Sequence, residues 1–233
     1  MITLLKFRPV FGLPDPSPFC TKVELLLKLT GQPYRKDESG NPGRGPKGKL
    51  PAIIDDGETI GDSELIRWHL ERKYGVDLDA GMSGLERAHA HALARLLEER
   101  TYWAIAATRW LEDAHFPRSR DAILATVPQP ARWLAGIVLQ RRMRAAHRAQ
   151  GMGRHSTQER YEMAARDIRA VATTLGAQNF MMGNTPTGLD ATAYPFISGI
   201  VDPPFPSPAV DEVRRHANLL DYCARMRARF FAA

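Results

Sequence analysis

Residues Leu13–Leu26 read LPDPSPFCTKVELL, and the fold turns on whether Ser17–Cys20 is only a capped helix start or also a reactive centre. A serine before proline suits a helix N-terminus. Its oxygen accepts from free first-turn N–H groups, and proline at the first helical position loses nothing by lacking its own. The spacing adds a second reading, since Ser17 and Cys20 flank Pro18 and Phe19 as a serine variant of the C-x-x-C pattern that opens redox-active helices. Downstream, Phe19, Val23, Leu26 and Leu27 recur at helical spacing until Gly31 supplies a stop. Upstream, Ile2–Phe7 is a short apolar run closed by Arg8 and Pro9, which predicts a buried strand.

Further along, Pro33–Ser39 predicts a weak second strand, and the glycine and proline density of Gly40–Lys49 excludes regular structure. Ala52–Ile54 predicts a strand, Asp56 and Gly57 a turn, and Thr59 and Ile60 a short return strand. The run SELIRWHLERKYG then predicts a helix with Leu65, Ile66, Trp68 and Leu70 as its apolar residues, Ser63 as N-cap and Gly75 as stop. The order βαβ then ββα defines an α/β domain over residues 1–76. A composition shift over Val76–Ser83 reads as a linker, and residues 83–233 predict an all-α domain without internal repeats. There, Leu85–Asp113 reads as one long helix and Pro195 as a kink or break in a later one. Thr187 and Asp190 have capping-box spacing, a folding role that keeps Asp190 out of the chemistry.

The 233 residues, 44% hydrophobic and 25% charged, fit a packed globular protein. No apolar run approaches the roughly 18 residues that cross a bilayer, and MITLLKFRPV is too short for a signal-peptide core, so a cytoplasmic protein with no membrane partner is expected. Its two cysteines, Cys20 and Cys223, are too far apart for a metal cluster or a disulfide framework, which suits a reducing compartment. His89 and His91 stand two residues apart, on different faces of a helix, and no metal site is expected. Much of the net charge of +6 sits in Arg141–Arg148, RRMRAAHR, read as a solvated helix face rather than a nucleic-acid site. A basic surface would equally attract a small anionic ligand.

The βαβ–ββα order, the proline directly before the third strand and the SPFC helix start together resemble the glutathione transferase family, over nearly the whole chain. SPFCTKVELLL, GKLPAI, GDSELIRW, GMGRHS and PTGLDATAY look most like the branch that includes metaxin and the failed-axon-connections proteins. The resemblance implies a thioredoxin-like N-terminal domain, an all-α second domain and a homodimer. It implies glutathione as co-substrate, with thiolate attack on an apolar electrophile at the interdomain cleft. Ser17 would be the catalytic hydrogen-bond donor to the glutathione sulfur. Leu50 would pair its backbone with the cysteinyl unit before a cis Pro51. Asp62 and Ser63 would hold the γ-glutamyl end, carboxylate to α-ammonium and hydroxyl with helix N–H groups to α-carboxylate. Lys49, or its neighbour Lys47, would reach the glycyl carboxylate.

Cys20, at the second position of the C-x-x-C spacing, reads as a packed or auxiliary thiol. Serine at the first position argues against a thioltransferase of the glutaredoxin or omega type, and Phe7 and Arg8 stand where a tyrosine-dependent site would have its tyrosine. Tyr102, Trp103, Trp110 and Phe116 are candidates to line the electrophile site, as well as core residues. The string Gly151–Ser156 is either a glycine stop with Ser156 capping the next helix or a source of a cleft-facing His155. The rival to the enzyme reading is a non-catalytic adaptor or binding protein of the same fold.

Overall fold

The computed structural model describes residues 1–232. Strands β1 (Ile2–Leu5), β2 (Tyr34–Asp37), β3 (Ala52–Asp55) and β4 (Glu58–Gly61) form a four-stranded sheet in the order β2-β1-β3-β4. β1 is parallel to β2 and antiparallel to β3, and β3 and β4 make a hairpin. Its turn residues Asp56 and Gly57 both have positive φ, 50° and 87°, as a two-residue turn of the type I′ kind requires. Helix α1 (Pro18–Leu29) follows β1 and α2 (Ser63–Tyr74) follows β4, so the thioredoxin-like βαβ–ββα order expected from the sequence is the one observed.

Beyond α2 the regular elements are helical: α3 (Gly84–Leu96), α4 (Tyr102–Trp110), α5 (Phe116–Ile123), α6 (Ala131–Gln150), α7 (Thr157–Leu175), α8 (Gly188–Val201), α9 (Pro208–Arg214) and α10 (Ala217–Phe230). The run expected as one long helix is divided into α3 and α4 by a π turn at Leu97–Thr101. There Thr101 Oγ1 donates to Asp167 of α7 at 2.9 Å, and the Arg100 guanidinium pairs with the same carboxylate. Pro195 does not break α8. That helix is buried from Gly188 to Ile200, and its packing against α1, α3 and α10 holds it through the lost backbone bond.

Helix α1 departs most from its sequence pattern. Instead of one apolar stripe it is buried all round from Cys20 to Leu27, because it packs against both α2 and α8. Its charged residues therefore find partners inside the protein, as burial demands. Glu24 accepts from Lys6 at 2.8 Å, Lys36 at 2.7 Å and Tyr34 at 3.2 Å. Lys22, 1% exposed, donates to Glu64 at 2.9 Å and Glu98 at 2.7 Å. The apolar core runs without interruption from Leu4 and Leu26 to Phe196, Tyr222 and Met226.

Asp190 has the folding role its spacing implies. Its carboxylate accepts from the backbone N–H of Thr187 at 2.8 Å and of Met181 at 2.9 Å, and from the Tyr222 hydroxyl at 3.0 Å. Thus α8 is capped and tied to α10 by one buried group.

Candidate active site

The sheet register gathers the candidate residues. Leu5 pairs with Ala52, and Ala52 pairs with Gly61, so the C-terminal end of β1, the start of β3 and the end of β4 lie side by side. The next residues outward are the β1–α1 loop that carries Ser17, the Lys49–Pro51 segment, and Asp62 with Ser63. The Leu50–Pro51 bond is cis. Pro51 is buried, Leu50 half-buried, and Lys47 and Lys49 are exposed. Gly45 is required beside them, since a Cβ there would lie 2.0 Å from the Lys49 carbonyl oxygen.

Two capping expectations change. Ser17 has the backbone geometry of an N-cap, φ −90° and ψ 118°, but its hydroxyl caps nothing and lies by the Cys20 thiol. α1 also lacks an acidic residue in its first turn, and the acid at that end is Asp15 in the preceding loop. At α2 the cap is Asp62 and not Ser63. The sharp exit from β4 puts Asp62 at φ +81°, from where its carboxylate accepts from Glu64 N at 3.0 Å and Leu65 N at 3.5 Å. Ser63 becomes the first helical residue and is buried.

The loop before Ser17 hangs from buried charges that sequence reasoning did not pick out. Lys6 donates to the Pro14 carbonyl at 2.8 Å. Asp15, 1% exposed, accepts from the backbone N–H of Phe7 at 2.9 Å and of Ser17 at 2.8 Å. Arg109 of α4 donates to the Pro16 carbonyl at 2.7 Å and to Gly199 of α8 at 2.6 Å. The Asp-x-Ser spacing of Asp15 and Ser17 was a legible signal for a local side-chain turn. Arg109 had none.

Burial, partly offset by the Ser17 N–H and Lys6, pushes the Asp15 carboxyl up to about 8. Burial and Asp15 together push the Cys20 thiol well above its ordinary range, and its side chain is fully buried, so Cys20 is a packed thiol. Because Asp15 titrates higher folded than its unfolded value near 3.8, its contribution to stability is complete below that pH and lost as pH rises through about 8. In denaturant titrations from about pH 5 to about pH 8.5, the wild type is therefore expected to lose stability relative to Asp15→Asn. Parallel curves would mean that Asp15 is ionised throughout.

A small cleft of about 20 Å³ adjoins this loop, walled by Ile105, Arg109, Ile200, Phe205 and Ser207 among others. Phe205 packs edge-on against Phe11 of the β1–α1 loop, ring centroids 4.9 Å apart. None of the expected aromatics lines this small cleft. Tyr102 packs on Phe19 and Trp103, Trp103 also meets His147, and neither Trp110 nor Phe116 lines the cleft. His155 stands in the α6–α7 turn, where Ser156 and Glu159 form the capping box that accounts for the string. A larger cavity of about 230 Å³ opens between α2, α3 and the start of α8 and contains none of the predicted site residues.

Residues 18–115 match the glutathione S-transferase N-terminal domain and residues 164–226 the glutathione S-transferase C-terminal domain. The chain is 34% identical over 236 residues to isoprene-epoxide–glutathione S-transferase of Rhodococcus sp. (strain AD45), covering 99% of each. It belongs to the glutathione S-transferase family. It is 28% identical over 250 residues to Failed axon connections of Drosophila melanogaster, covering 99% of this chain and 58% of that protein. Metaxin-1 of Bos taurus is 27% identical over 231 residues, with 95% of this chain and 72% of that protein covered. A Methylobacterium radiotolerans glutathione S-transferase, solved in complex with glutathione sulfonate, shares the fold with a TM-score of 0.62 and 22% identity, over 98% of this chain and 91% of that one.

Proposed function

We propose that the protein binds glutathione at the Ser17 end of the sheet and directs its thiolate at a small electrophile held between α4 and α8. The observation that carries this reading is the register Leu5–Ala52–Gly61, which gathers three chain segments beside the uncapped N-terminus of α1. In this reading Ser17 donates to the sulfur, the Leu50 backbone ahead of cis Pro51 pairs with the cysteinyl unit, and Lys49 meets the glycyl carboxylate. Asp62 takes the α-ammonium. Ser63, through its hydroxyl and its own backbone N–H, takes the α-carboxylate, since the next two N–H groups of α2 are bound by Asp62. The name of the Rhodococcus relative makes a small epoxide the first electrophile to assay.

The same reading takes the protein as cytoplasmic and as a homodimer, the latter supported by Leu65 and Trp68 of α2 and Leu85 of α3, which stay exposed. Retention on immobilised glutathione and a rise in melting temperature with millimolar glutathione test the binding claim. Glutathione at 100 times its Kd adds about 2.7 kcal/mol of stability. Failure of both leaves the non-catalytic reading of the fold, and light scattering at the monomer mass removes the dimer.

A further inference from the structure

Arg109 is the charged residue of the small cleft, and the rest of its wall is apolar or carries neutral hydroxyls. It is 6% exposed, and among the described residues no carboxylate lies within ion-pairing distance of it. Its bonds go to carbonyl oxygens alone, one of Pro16 and one of Gly199. These use two of the five N–H groups of a guanidinium, and its face lies 5.9 Å from the Phe205 ring centroid. The other buried cations of this region are compensated: Lys6 has Glu24, and Lys22 has Glu64 and Glu98. Burial lowers the Arg109 value to about 10, partly offset by Tyr102 and Asp15, the direction expected of a buried cation without an ion-pair partner. A buried cation with no ion-pair partner is expensive to keep, and such groups concentrate where chemistry uses them.

We propose that Arg109 is a catalytic residue that stabilises the oxygen anion formed when the glutathione thiolate opens a small, oxygen-bearing electrophile in this cleft. The inference rests on the glutathione transferase reading and adds to it the residue that meets the leaving oxygen. The thiol proton leaves to solvent. A sulfur lone pair then forms the S–C bond, the C–O bond breaks, and its electron pair stays on oxygen as an alkoxide. The free N–H groups of Arg109 meet that charge in a site where it is worth far more than in water, and water then supplies the proton. A cleft of about 20 Å³ has room for about one water-sized group, so the epoxide oxygen would enter it with the carbon under attack at its mouth. The Pro16 bond gives the same guanidinium a second, positioning role, because it fixes the peptide just before Ser17.

The test compares a small terminal epoxide with a primary alkyl iodide of similar size, whose leaving iodide needs no hydrogen bond. Arg109→Met should lower kcat/KM for the epoxide at least tenfold and for the iodide by less than about threefold. Arg109→Lys, which keeps a charge but not the planar fork, should fall between wild type and Arg109→Met on the epoxide and serves if the methionine variant does not fold. Equal losses on both electrophiles would reduce Arg109 to its loop contact and overturn the proposal. An unchanged epoxide rate would overturn it too. Wild-type protein that takes up no glutathione would instead remove the underlying reading, a result visible before either variant is made.

Discussion

Ser17→Ala is expected to lower kcat by about 10²–10³, with the Kd for glutathione moving less than about threefold. The sulfur belongs to the ligand, and a free thiol with a pKa near 8.5 is mostly protonated at neutral pH, so turnover depends on what stabilises the thiolate. The Ser17 hydroxyl is not spent on capping α1, and the helix presents its N-terminal end with no carboxylate in the first turn. In the proposed site, removing one donor aimed at developing charge affects the reactive state more than the bound tripeptide, whose other polar ends would be held by separate segments. Pre-steady-state rates and the ultraviolet absorbance of bound thiolate read the two effects separately. An unchanged kcat would assign activation to the helix N-terminus alone. Cys20 will not replace the lost hydroxyl, because it is fully buried and its thiol is pushed upward.

Lys22→Met is expected to destabilise the protein by about 3–5 kcal/mol, the range for breaking a buried ion pair by removing one partner. For a chain of this size that is a fall in Tm of roughly 6–20 °C. Lys22 lies between Glu64 and Glu98, and Glu98, whose side chain is 4% exposed, also accepts from Arg95 at 2.6 Å and Thr192 at 3.2 Å. Methionine fills the volume but leaves two carboxylates facing each other with only Arg95 between them. Glu98→Gln in the same background should restore part of the loss, which a double-mutant cycle in urea would record as a coupling energy. Strict additivity of the two changes would show that the pair contributes nothing beyond its separate parts.

β1 and β3 were legible as short apolar runs beside proline, β2 (YRKD) only weakly, and β4 through the Asp56–Gly57 turn that announced its own hairpin. The end of the sheet where the candidate residues meet was legible only through resemblance, since no local pattern says that Leu5, Ala52 and Gly61 share a register. TKVE in α1 looks like a helix surface, yet Lys22 and Glu24 are inside, because helices from distant parts of the chain cover both flanks. Short α5 and α9, each opened by proline, offer too few turns for a periodic signal. Asp62 took the cap that Ser63 was expected to supply because the chain geometry at the end of β4, not side-chain type, decides which residue stands outside the helix. Arg109 is one arginine among many in a basic chain, and only its surroundings single it out.

The Pro16–Arg109 bond spans 93 positions of sequence and joins the serine loop to α4 of the helical half. The two halves are consequently poor candidates for mix-and-match engineering. A chimera that borrows the first 80 or so residues would strand Lys22 without Glu98 and leave the Pro16 carbonyl with no donor, whatever the quality of the new interface elsewhere. Grafts that hope to keep Ser17 in register must import Arg109 and Glu98 with it, so the heritable unit of this site is a set of contacts and not a stretch of chain.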